Sequence, residues 1–230
     1  MIIVITGASK GIGFELTKIA LQNKCKVFAI ARNTSTLSEL KKQYAETLFC
    51  INADLSIEAD VIKTVTQIQE QTALIDILIN NAGSIVNKPF HEISSEELHT
   101  VYSANVFAPF MLTQKLLPLI KKSDIKHILN ISSMGGVGGS AKFAGLSAYS
   151  SSKGALSILT ECLAEELKDY NIHVNALALG AVNTEMLQNA FPGYVANTQP
   201  QQMAAFIYDF ATTKYSFFNG KVLPVSNSTP

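Results

Sequence analysis

Short apolar runs alternate with longer amphipathic stretches almost from one end of the chain to the other. The short runs are "IIVITG", "CKVFAIAR", "TLFCIN", "LIDILINNAG", "KHILNISS", "IHVNALAL" and "GKVLPVS". They are rich in β-branched residues and bounded by Gly, Asn, Asp or Ser, which predicts buried strands. Between them, apolar positions recur at helical spacing over Gly11–Asn23, Leu37–Tyr44, Ile57–Gln71, Ser95–Ile120, Ala148–Asp169 and roughly Gln199–Thr212. Ser56 before "IEADVIKTV" and Ser95 before "EELHTVYSANV" are the expected helix caps.

This alternation predicts an α/β fold: a single doubly wound parallel sheet of the Rossmann type, with seven strands and helices on both faces. No repeat, low-complexity segment or linker breaks the rhythm, so residues 1–230 are expected to form one domain. Two segments depart from it, the glycine-rich "MGGVGGSAKFAGL" (Met134–Leu146) and "NTEMLQNAFPGYVANTQP" (Asn183–Pro200). Each follows the carboxyl end of a strand, where open α/β sheets bind ligands, so both are expected to shape a pocket. Met134, Val137, Phe143, Leu146, Met186, Phe191 and Tyr194 would make that pocket mostly apolar.

Composition adds exclusions. Hydrophobic residues make up 47% and charged residues 16%, a balance suited to a sheet covered on both faces. The formal net charge of +0 and the lack of a basic stripe exclude the electrostatic footprint of a nucleic-acid or anionic-membrane partner. Cys25, Cys50 and Cys162 are odd in number and far apart, which reads as reduced thiols. His91, His99, His127 and His173 show no metal-ligand spacing, so no metal is expected. The apolar start of "MIIVITGAS" is too short for a signal peptide or a membrane span, and a cytoplasmic location is expected.

Two stretches carry candidate chemistry. "TGASKGIG" (Thr6–Gly13) stands where the first strand passes into the first helix. Its glycines let the backbone turn sharply toward a pyrophosphate, while the helix N-terminus offers free N–H groups. In "LSAYSSSKGAL", Tyr149 and Lys153 are four residues apart on one helix face, so their ends are expected to meet. An ammonium beside a phenol favours the phenolate and lowers its pKa. The small serines between them are expected to leave the face open to a ligand.

The spacing T-G-x-x-x-G-x-G of Gly7, Gly11 and Gly13 resembles the short-chain dehydrogenase/reductase family. So do "NNAG" at Asn80–Gly83, Asn105, "NISS" at Asn130–Ser133 and "YSSSK" at Tyr149–Lys153, in order and approximate spacing. The resemblance implies an oxidoreductase that interconverts a carbonyl and an alcohol, with Tyr149 as proton donor and acceptor. Ser133 would then hydrogen-bond the substrate oxygen, Lys153 would hold the nicotinamide ribose, and Asn105 would bind a water relaying protons to Lys153. Gly7, Ser9, Lys10, Gly11, Ile12 and Gly13 would form the cofactor turn, and Asp54 and Leu55 would flank the adenine. Asn81, Ala82 and Gly83 would run beneath the adenosine ribose, and Val182 and Thr184 would reach the carboxamide and diphosphate.

Charge selects NADP(H) as the expected cofactor. Ala31 stands where an NAD-binding sheet places a carboxylate, Arg32 follows it, and Lys10 adds a second cation suited to a 2′-phosphate. The resemblance further implies a homodimer or homotetramer built on the helices Ser95–Ile120 and Ala148–Asp169. Three departures from the family are visible. Sixteen positions separate Ser133 from Tyr149, an enlarged loop; strand alternation sends Ser132 and Ser133 to opposite faces, and Ser133 is chosen. Leu179 replaces the usual proline before Gly180, which predicts a less rigid loop. After "GKVLPVSNSTP" little tail is expected to close the pocket or bridge subunits. An alternative function is an NADP(H)-sensing regulatory protein with little turnover, which would need only the glycine turn and Arg32.

Overall fold

Period-two alternation along the strands sorts the core into two layers. The computed structural model describes residues 1–226. Its strands are β1 (Ile2–Thr6), β2 (Lys26–Ala31), β3 (Leu48–Asn52), β4 (Ile77–Asn80), β5 (His127–Ser133), β6 (His173–Leu179) and β7 (Val222–Val225). The helices are α1 (Gly11–Gln22), α2 (Ser38–Gln43), α3 (Glu58–Gln71), α4 (Ser95–Tyr102), α5 (Ala108–Ile120), α6 (Ser147–Glu166), α7 (Glu185–Ala190) and α8 (Pro200–Asp209). Ile3, Ile5, Val27 and Ala29 pack with Leu16 and Ala20 of α1 and Met203 and Ile207 of α8. Val4, Phe28 and Ile30 face the other way, onto Val61 and Val65 of α3 and Leu112 and Leu116 of α5.

All seven strands are parallel, in the order β3-β2-β1-β4-β5-β6-β7. This is the doubly wound Rossmann-type sheet that the pattern predicts. The strand order reverses between β1 and β4, and the crevice at their carboxyl ends is where such sheets hold ligands. The expected short tail after β7 falls on residues 227–230, outside the described residues.

Several local expectations are corrected. The stretch Ser95–Ile120 is not one helix, because the π turn Ser103–Phe107 separates α4 from α5. Pro109 has no N–H to return to the carbonyl of Asn105, so the regular ladder cannot pass this point. The cap of α4 is Ser94 rather than Ser95: its hydroxyl accepts from the Glu97 N–H, and the Glu97 carboxylate accepts from the Ser94 N–H. Ser56 caps nothing, since its hydroxyl donates to Asp54 Oδ1 at 2.7 Å and Ile57 takes the cap position without a side-chain bond. The segment Asn183–Pro200 contains α7, too short to show a helical period in the sequence.

His127, at the start of β5, is fully buried, with its ring stacked 4.6 Å from that of Tyr215. Its Nδ1 is 3.0 Å from the carbonyl oxygen of Ala211. Burial pushes its pKa from 6.5 down to about 3. The unfolded chain therefore takes up this proton first as pH falls, and stability present above pH 6.5 drains away toward pH 3. A loss of about 2 kcal/mol between pH 6.5 and pH 5 is expected from this site alone. Urea midpoints across that range should show it, and His127→Asn should flatten the profile.

Candidate active site

The glycine turn is tied to the end of β4 by an interlocking set of bonds. Gly7 and Gly11 have φ of +68° and +55°, in the left-handed region where glycine carries no Cβ penalty. A Cβ on Gly13 would run into the carbonyl oxygen of Gly7. The Thr6 hydroxyl accepts from the backbone N–H of Asn81 at 3.0 Å and of Ala82 at 2.9 Å. Asn81 Nδ2 donates back to the Thr6 carbonyl at 2.9 Å. The Asn81 amide thus holds the turn in place, and Thr6 is a positioning residue the sequence reading missed, although it lies inside the quoted motif.

At the other end of the crevice, β5 brings Ser133 opposite the first turns of α6. The Ser133 hydroxyl accepts from the Gly135 N–H at 3.2 Å, which leaves its own proton to donate, and it lies on the Tyr149 side of the cavity, where it acts to lower the phenol's pKa. Ser132 points away, its hydroxyl donating to the Lys153 carbonyl at 3.0 Å beneath α6. Gly136 lets the enlarged loop pack on α6, where a Cβ would come within 2.6 Å of the Lys153 backbone.

Tyr149 and Lys153 share one face of α6, with no direct hydrogen bond between their ends. Lys153 Nζ lies 6.0 Å from the phenol ring centre and donates to the Ile131 carbonyl at 2.8 Å. Desolvation lifts the Tyr149 pKa above the usual tyrosine value, with the Ser133 hydroxyl acting in the opposite sense. Lys153, only 4% exposed, is pushed from 10.5 down to about 8 by the same desolvation. Two of the serines between them are engaged within the fold. Tyr102 donates to Ser151, while Ser152 receives Asn105 Nδ2 at 2.8 Å and donates to the Tyr149 carbonyl at 2.7 Å.

Asn105 is fully buried behind Gly83 in the π turn. Its Oδ1 accepts from the Ser84 N–H at 2.8 Å, and its Nδ2 also donates to the Ser84 carbonyl at 2.9 Å. The side chain is thereby spent on clamping α6 to the segment after β4, and it cannot serve as the expected water ligand without breaking these bonds. The Asn105 carbonyl, denied a donor by Pro109, is the group on this residue suited to a water.

Apart from Asn105 and Val137, the residues expected in the site line one cavity of about 1000 Å³, which runs from the glycine turn to Tyr149. Arg32 lies exposed at its adenine end. There Asp54 sits below the usual carboxylate range, chiefly through the Ser56 hydroxyl and in smaller part through Arg32. Lys10 is not free for a phosphate: its Nζ pairs with Glu185 at the start of α7, 2.6 Å away. Glu185 is a second residue the sequence reading missed. β6 continues through Leu179, which pairs with Ser133 and Val225. Val182 is bridged to Thr198, and the Thr184 hydroxyl caps α7 by accepting from the Leu187 N–H at 3.3 Å. The glycine cradle, the open helix N-terminus and the buried donor Lys153 together fit a nicotinamide dinucleotide.

Residues 1–194 match the short chain dehydrogenase family. The chain belongs to this family. A 3alpha-hydroxysteroid dehydrogenase of Mediterraneibacter gnavus is 30% identical, aligned over 98% of this short-chain dehydrogenase and 95% of the relative. A 3-ketoacyl-(acyl-carrier-protein) reductase of Brucella melitensis, solved with NADH, superposes with a TM-score of 0.87 at 27% identity, covering 97% of this chain and 96% of the other. The RhlG/NADP complex of Pseudomonas aeruginosa gives a TM-score of 0.87 at 29% identity, covering 99% and 95%. No helix among the described residues of this short-chain dehydrogenase is long and apolar enough to cross a membrane.

Proposed function

We propose that this oxidoreductase reduces a small-molecule carbonyl to an alcohol with NADPH, and can run the reverse reaction. The observation that carries the reading is that Ser133, Tyr149 and the buried Lys153 line the same cavity as the glycine turn. A bound reduced nicotinamide supplies the hydride for the carbonyl carbon. The chain's own groups handle the charge that develops on oxygen. Ser133 donates its free proton to that oxygen, and Tyr149, kept protonated by burial, delivers the proton that completes the alcohol. Lys153 presents its remaining donors toward the ribose, and its charge stabilises the phenolate left behind. A water at the Asn105 carbonyl would connect Lys153 with solvent for reprotonation.

Support for NADPH over NADH comes from Arg32 and from Ala31, which brings no carboxylate to the ribose. Lys10 joins Arg32 only by leaving Glu185, an exposed pair that costs little to break. NADPH is expected to bind at least tenfold better than NADH, about 1.4 kcal/mol. Arg32→Asp should erase that margin, and Glu185→Gln should tighten NADPH by roughly threefold while leaving NADH unchanged. Dissociation constants for both cofactors on the three proteins test this, and equal affinities in the unmodified protein would refute it.

The enzyme is placed in the cytoplasm, a reading supported by three unpaired cysteines. A homodimer or homotetramer is favoured by Phe107 of the π turn, Phe110 of α5 and Ile158 of α6, all exposed apolar side chains.

A further inference from the structure

We propose that the substrate is a neutral carbonyl compound with apolar groups on both flanks, and that the site rejects a carboxylate or phosphate beside the carbonyl. This rests on the reading that Tyr149 and Ser133 receive the carbonyl oxygen. Beyond those two residues the cavity is walled by Ile85, Met134, Phe143, Leu146, Leu187 and Phe191. Its charged lining residues other than Lys153 are Lys10, Arg32, Asp54 and Glu185. Lys10 and Glu185 pair at the glycine turn, and Arg32 and Asp54 interact at the ends of β2 and β3, on the cofactor side.

The cations nearest the apolar end are already engaged. Lys88 pairs with Glu97. Lys142 Nζ donates to the Val137 carbonyl at 2.7 Å and to the Ser140 hydroxyl at 2.6 Å, closing its own loop. The Asn87 amide is spent on the Ala190 carbonyl at 2.8 Å, which joins the loop after β4 to α7. Lys153 faces the ribose side and is bonded to Ile131. An anionic group beside the carbonyl would leave water for a wall that offers it no unengaged cation, whereas an alkyl or ring group would gain by burial. Met186 and Tyr194, both exposed at the mouth, extend the apolar wall outward for a longer tail.

The test uses pairs of compounds matched in length, methyl alkyl ketones against α-keto acids, with the full chain and with NADPH and NADH each supplied. The ketone should show at least a tenfold higher kcat/KM. In parallel, thermal shifts of the NADP-loaded protein should rise with the ketone or its alcohol and not with the keto acid. Met186→Arg, at an exposed position that tolerates charge, should narrow or reverse the preference. Equal or better handling of keto acids by the unmodified protein overturns the proposal, as does a thermal shift with neither ligand. Selective thermal shifts without turnover would uphold the apolar site and instead defeat the proposed reaction.

Discussion

Tyr149→Phe should lower turnover by about a thousandfold while NADPH binds almost as tightly as before. The substitution removes one hydroxyl and keeps the ring, so packing at the head of α6 is nearly unchanged. What is lost is the proton for the developing alkoxide; Ser133 can donate a hydrogen bond to that oxygen, but an aliphatic hydroxyl is far too weak an acid to give its proton up. Burial holds the phenol above the usual tyrosine pKa, so reduction in the intact protein should be insensitive to pH through neutrality. Oxidation needs the phenolate and should climb on the alkaline side. Stopped-flow turnover, cofactor titration and pH–rate profiles on both proteins check the pattern. Substantial activity in Tyr149→Phe would remove the phenol from the reaction.

Lys153→Met should abolish most activity and weaken NADPH binding, yet make the cofactor-free protein more stable. The ammonium lies in a site that drops its pKa to about 8, and no carboxylate compensates it. Below pH 8 both folded and unfolded chains carry the proton, and the folded chain bears the full desolvation cost. Between pH 8 and 10.5 the folded chain sheds it first, so stability of the unmodified protein should rise through that window. Methionine removes the penalty but leaves the Ile131 carbonyl without this donor, for a net gain of about 2 kcal/mol near neutrality. The advantage should fade as pH approaches 10.5. Thermal melts of the two proteins over this range decide it, and a less stable variant at pH 7 would mean that burial costs Lys153 little.

The alternation of short β-branched runs with amphipathic stretches was sufficient to determine the seven-stranded parallel sheet and its two helical layers. Burial on both faces leaves such strands few other arrangements. Local backbone chemistry was legible too, because the residues of the glycine turn and of "YSSSK" act within one or two turns of each other. What the sequence could not decide were contacts between segments distant along the chain. The engagement of Asn105 by Ser84 and Ser152, of Lys10 by Glu185 and of Lys153 by Ile131 each joins segments at least 20 positions apart. Helical spacing put Tyr149 and Lys153 on one face, and an ammonium beside a phenol in water would lower its pKa. Only the packed structure decides the direction: with Lys153 turned to the Ile131 carbonyl of β5, desolvation raises the pKa of the half-buried Tyr149 and lowers that of the buried Lys153.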